Sequence, residues 1–99
     1  MLHIVNKSPF EGTGLDSCLR VAQAGAAVLL IEDGVYAAVS GTAAAQRLRQ
    51  RTDGLRIYVL GPDIDARGMQ ERIVAGVERV DYASFVDLVT THSTVQTWL

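Results

Sequence analysis

Cys18 is the only cysteine in the chain, and its thiol is the one side chain with reactive chemistry of its own. A single cysteine cannot close an internal disulfide, and a four-thiolate zinc site is out of reach. Two readings remain. The thiol is inert and packed, or it is a nucleophile that takes and passes sulfur by the thiolate attack that drives disulfide exchange. A second chemically capable group is acidic. Glu32, Asp33, Asp63 and Asp65 stand in turn-like stretches, and a cluster of such carboxylates could hold Mg²⁺ and support phosphoryl transfer, as in receiver-like signalling domains. Turn and cap chemistry accounts for the same residues, because Asp-Gly and Pro-Asp are ordinary loop pairs. His3 falls inside an apolar run and reads as a structural histidine. His92 lies near a helix end, where its cation is mildly favoured. There is no GxGxxG and no Walker-type loop, so no nucleotide site and no cofactor is expected.

These residues depend on the elements that carry them. Residues 2–5 read as a first strand, followed by a turn-rich stretch, 6–14. Thr13 is expected to cap a helix over 14–23, which Gly25 stops. The unbroken apolar run 27–31 reads as a strand buried on both faces, the pattern of a parallel sheet. A short helical segment is expected at 35–39, then a helix over 43–51 capped by Thr42. A third strand spans 56–60. Pro62 suits the start of a short helix ending near Arg67, with Gly68 as its exit. Residues 77–80 form a brief strand, and Asp81 caps a last helix over 82–91. Tyr82, Phe85, Val86 and Val89 give that helix a core-facing stripe, and 94–99 reads as a final edge strand. Strands alternating with helices, through connections mostly too long for hairpins, predict a small layered α/β/α domain with a mainly parallel sheet of four or five strands, one domain over 1–99. In such sheets, sites lie beyond the carboxyl ends of the strands. The stretches 6–14, 32–34 and 61–65 fall there.

On the first helix, Leu15, Leu19 and Ala22 define an apolar stripe, and Cys18 is placed on its shoulder, half accessible. Helix N-terminal donors lower a thiol pKa, but the field fades after the first turn. Asp16 opposes activation. Lys7 is a candidate counter-charge, whereas Arg20 stands about 160° round the helix from Cys18. The expectation is a weakly activated thiol.

Net charge is −2, with 48% hydrophobic and 20% charged residues, which is a globular and not a disordered composition. The one concentration of basic residues is Arg47, Arg49 and Arg51, read as a solvated helix face. An acidic chain with so little basic patterning is a poor nucleic-acid binder. The opening residues lack a signal-peptide pattern, and the longest apolar run, 26–31, is far short of a membrane span. A cytoplasmic location is expected. The tail Val95-Gln96-Thr97-Trp98-Leu99 is unusually apolar for a chain end. It either folds onto the core or docks on a partner, where Trp is a frequent anchor.

Five segments in order carry a family resemblance over essentially the whole length. They are Leu2-His3-Ile4-Val5-Asn6-Lys7-Ser8-Pro9-Phe10, Leu29-Leu30-Ile31-Glu32-Asp33-Gly34-Val35-Tyr36-Ala37-Ala38, Tyr58-Val59-Leu60-Gly61-Pro62-Asp63 with Ala66-Arg67-Gly68, Val80-Asp81-Tyr82 with Phe85-Val86-Asp87-Leu88, and the tail Thr94-Val95-Gln96-Thr97-Trp98-Leu99. Together they resemble the DsrH/TusB family of small sulfur-relay proteins. The resemblance implies a heterohexamer with DsrE/TusD-like and DsrF/TusC-like subunits. Such a complex passes persulfide sulfur to a DsrC/TusE-like carrier, in sulfur oxidation or in tRNA 2-thiouridine formation. Cys18, in Asp16-Ser17-Cys18-Leu19, matches the cysteine of DsrH members, which TusB members often lack, so the sequence looks closer to DsrH. On that footing Cys18 is the candidate persulfide carrier, and the main catalytic cysteine is expected on the DsrE-like partner. Two other readings stand beside this one: the receiver-like Mg²⁺ domain, and a purely structural subunit with an inert Cys18.

Overall fold

Four consecutive buried residues make β1 (Leu2–Val5) and four more make β2 (Ala27–Leu30). Strands with no exposed position are covered on both faces, as a parallel sheet requires. The computed structural model describes residues 1–99. It adds β3 (Arg56–Leu60), β4 (Glu78–Val80) and β5 (Val95–Trp98). The five strands form one sheet in the order β4-β3-β2-β1-β5, parallel at every pairing. Register is set by pairs such as Ile4 opposite Leu29 and Val5 opposite Trp98.

Alternate strand residues feed two unequal cores. Val5, Val28, Leu30, Ile57 and Val59 point into the larger one. They meet α1 (Gly14–Val21), a 3-10 helix (Glu32–Ala38), α2 (Ala43–Arg49) and α3 (Gly61–Ala66). Leu2, Ile4, Ala27, Leu29, Leu60 and Val80 point the other way, where Phe85, Leu88 and Val89 of α4 (Tyr82–Thr91) lie against them. The result is the expected α/β/α layering with one thick layer and one thin. No residue of α4 is buried, and Tyr82 and Val86 are each 58% exposed. The core-facing stripe expected on α4 is therefore shifted. Phe85, Leu88 and Val89 face the sheet, while Tyr82 and Val86 face outward, because the thin layer has no neighbouring helix to take them. No helix is long and apolar enough to cross a membrane.

Local chemistry sets most element ends. Thr42 Oγ accepts from Ala45 N at 3.1 Å, and an Asp81 carboxylate oxygen accepts from Ser84 N at 2.8 Å, so both expected caps form. Thr13 does not cap with its side chain. Its backbone is not extended (φ −108°, ψ 8°), and only its carbonyl bonds forward, to Ser17 N at 2.9 Å. The third helix starts at Gly61, directly after β3, so Pro62 stands inside its first turn, where the missing N–H costs nothing. Gly34 has a stricter role. A Cβ there would collide with Val5 O, so the 3-10 helix closes over the end of β1 only because this residue has no side chain.

Candidate functional site

Cys18 lies wholly inside the thick layer, with 0% of its surface exposed, in the cluster that holds Leu15, Leu19, Ala22 and Leu48. The half-accessible position expected from sequence is corrected here. At about 100° per residue, Leu15, Cys18, Leu19 and Ala22 share an arc of about 100°, so the thiol belongs to the stripe and not to its shoulder. Burial pushes its pKa up from 9.0 to about 11, and the nearby positive charge of Arg51 offsets only part of that. Desolvation of the thiolate thus outweighs the cationic help. Neither Lys7 nor Arg20 supplies a counter-charge. Arg20 Nη2 donates to Ser17 Oγ at 3.3 Å, and no ion pair involves Lys7.

The acidic residues at the carboxyl ends of β2 and β3 do not converge on one point. Asp63 Oδ2 accepts from Glu32 N at 2.6 Å. That bond holds Glu32 in a left-handed conformation (φ 49°) that side-chain-bearing residues seldom adopt. Asp33 Oδ1 accepts from Arg67 Nη2 at 2.8 Å and from Arg67 Nε at 3.0 Å, and the Arg67 guanidinium sits 6.0 Å from the Tyr36 ring centroid. Asp65 forms a two-pronged pair with Arg79 at 2.9 and 2.5 Å, and this pairing holds its carboxyl below the usual range. These carboxylates tie α3 and the Arg67 that follows it to the 3-10 helix, and α3 to β4. The arrangement fits turn and ion-pair chemistry, not a shared cation cage.

A cleft of about 640 Å³ opens between α1 and α2, lined by Thr13, Asp16, Leu19, Arg20, Arg47 and Arg51. Arg51 lies at its edge and reaches back across the fold. Nη1 donates to Leu19 O, and Nη2 donates to Ala22 O at 2.9 Å. It thereby closes two carbonyls at the end of α1, where the helix dipole favours a cation. Arg47 Nε is 2.9 Å from Asp16 Oδ1. The Nε atom is shut off from solvent and its ion pair lacks hydrogen-bond alignment. The arginine run read as a solvated helix face is thus only partly so: Arg49 is exposed, while Arg47 and Arg51 build a wall. The sequence signal was an arginine just past the end of α2. Its targets, 29 and 32 residues upstream, carried no signal.

His3 is buried and takes a hydrogen bond from Trp98 Nε1 at its Nδ1, 3.1 Å away, with ring centroids 6.0 Å apart. Nδ1 must be bare to accept, so the neutral ring is required. Burial first, and then the positive chain terminus, lower its pKa from 6.5. Trp98 also packs against the thick-layer core, so the first fate of the apolar tail is the one seen for Trp98, while Leu99 is 80% exposed. His92 Nδ1 lies 2.7 Å from Leu88 O, at the end of α4.

Fold and site together define a small parallel-sheet α/β domain whose one thiol is packed instead of presented, with no convergent acid or nucleophile at the strand ends. The family described as DsrH like protein matches residues 7–95. Protein TusB of Pectobacterium parmentieri is 40% identical over 98 residues, covering 99% of this chain and 100% of the relative. Protein TusB of Escherichia coli O81 (strain ED1a) is 37% identical over the same span, with the same coverage. The chain belongs to the DsrH/TusB family of sulfur-relay proteins. Two solved structures share the fold. The ychN protein from E. coli has a TM-score of 0.78 at 17% identity, covering 98% of this chain and 97% of that one. MTH1491 from Methanobacterium thermoautotrophicum has a TM-score of 0.75 at 18% identity, covering 97% and 95%. At those identities they speak to the fold alone.

Proposed function

We propose that the chain is the TusB-like subunit of a sulfur-relay complex that supplies sulfur for tRNA thiolation. The observation that carries this is identity of 40% along the complete length of a TusB protein. The sulfur-oxidation branch rested on Cys18 matching the cysteine of DsrH members; the full-length identity to TusB proteins favours the tRNA branch instead. The subunit contributes surface and shape, and the persulfide is carried on a DsrE/TusD-like partner. DsrF/TusC-like chains complete the assembly, and a DsrC/TusE-like carrier receives the sulfur. Phe10, Tyr82, Val86 and Leu99 are each more than half exposed, which suits a chain that buries apolar surface against other subunits. Cytoplasmic work follows from the tRNA destination.

The test is replacement in a bacterium whose own TusB has been deleted. Restoration of 2-thiouridine in bulk tRNA, measured by nucleoside mass spectrometry, is expected. Expression of the chain with its cognate partners and no restored 2-thiouridine overturns the assignment.

A further inference from the structure

We propose that the cleft between α1 and α2 is a docking site for an acidic peptide segment of a partner protein. The inference does not depend on the sulfur-relay reading.

Charge distribution is the first observation. The chain is acidic overall, yet α1 and α2 carry Arg20, Arg47 and Arg49 against one carboxylate, Asp16. Elsewhere, Arg67 and Arg79 are neutralised at short range by Asp33 and Asp65. Lys7, Arg56 and Arg72 also stand outside ion pairs, but none of them lines the cleft, whereas Arg20, Arg47 and Arg51 line it against the single carboxylate Asp16, which leaves a positive field there. Low-dielectric walls such as Leu19 focus that field into the cleft.

The second observation is the state of the guanidiniums. Arg51 is fixed by Leu19 and Ala22 carbonyls, so its charge is held in place without a carboxylate partner. Arg47 approaches Asp16 only through Nε, out of hydrogen-bond alignment. A guanidinium has five N–H donors in a planar fork that suits a carboxylate taken two-pronged. Asp16 is then an internal carboxylate in a space that a Glu or Asp side chain from outside would fill with better geometry.

A peptide fits this cleft better than a nucleic acid. No aromatic side chain lines it to stack a base. Asp16 in its wall repels a continuous phosphate backbone but can swing aside for one carboxylate at a time. A volume of about 640 Å³ matches a few residues of extended chain.

The probe is a fluorescein-labelled hexaglutamate peptide, read by anisotropy against the full-length chain at low ionic strength, with amide shifts to place the contact. Saturable binding is expected, with shifts confined to α1, α2 and the turn carrying Arg51. The Arg20→Gln, Arg47→Gln double variant should lose about tenfold in affinity. Asp16→Asn should gain affinity, because the competing carboxylate is gone. Arg72→Gln, an exposed arginine outside the cleft, should change nothing. Arg51 is left intact because it closes α1. No saturable binding, equal loss in Arg72→Gln, weaker binding by Asp16→Asn, or tighter binding of a hexauridylate than of the peptide would each overturn the proposal.

Discussion

Alkylation of Cys18 is where the packing argument is most exposed to test. The rise from 9.0 to about 11 is two pKa units, so near neutral pH the folded chain holds about 100-fold less thiolate than an unfolded one. Zero exposure adds a steric barrier, and reagent reaches the sulfur only through local or global opening. Iodoacetamide should therefore label the native chain at least about 100-fold more slowly than the chain in guanidinium. Substitution adds an independent measure. Cys18→Ala leaves a small cavity and should cost about 1–2 kcal/mol. Cys18→Ser places a hydroxyl in the same apolar pocket. Even if it bonds back to the Gly14 carbonyl, the cost should reach about 1–3 kcal/mol, at least that of alanine. In a domain of this size each kcal/mol lowers Tm by about 4–8 °C. Native labelling within about threefold of the unfolded rate, or a serine variant as stable as wild type, would refute the burial argument.

Gly34→Ala should be among the most damaging small substitutions, costing about 3 kcal/mol, because its methyl would meet Val5 O and backbone must move; chemical denaturation of the purified variant checks this. Arg51→Gln should cost about 1–2 kcal/mol, since two α1 carbonyls lose a charged donor. Faster amide exchange at the end of α1, with α4 unchanged, would locate the effect. His3 gives the acid response its sign. Its folded pKa lies below the ordinary 6.5, so the unfolded chain takes up protons first, and stability present above about 6.5 is lost as pH falls below it. Because burial is the larger cause, Trp98→Ala, which uncovers the His3 ring, should flatten that dependence, as followed by Tm across pH 5 to 8; an unchanged slope would exclude burial beneath Trp98 as its source.

What the sequence revealed and what it hid divide along local and long-range lines. The bounds of β3 and α4 were legible because their punctuation is local: Gly61-Pro62 closes one, and Asp81 opens the other through a bond to Ser84 three residues on. Parallel layering followed from the unbroken apolar run of β2. The place of β5 beside β1 was not legible, because it depends on a pairing across the whole chain. Cys18 was misplaced because the stripe was drawn through the leucines, and a small side chain on the same arc packs as deeply as they do. The cap that Arg51 places on α1, the ion pairs of Asp33 and Asp65 and the backbone hydrogen bond taken by Asp63 are likewise tertiary. The family, in contrast, was readable from ordered segments, because the turns and strand ends that set this fold are themselves local.

On the proposed function, this subunit serves a sulfur relay without carrying the sulfur. The direct measurement is the intact mass of every subunit after the assembled complex has been loaded with a persulfide donor. This chain should keep its mass while a DsrE/TusD-like partner gains sulfur, and Cys18→Ala complexes should load and transfer as wild type does. A sulfur atom gained by this chain, and lost with Cys18→Ala in a complex that still assembles, would contradict it.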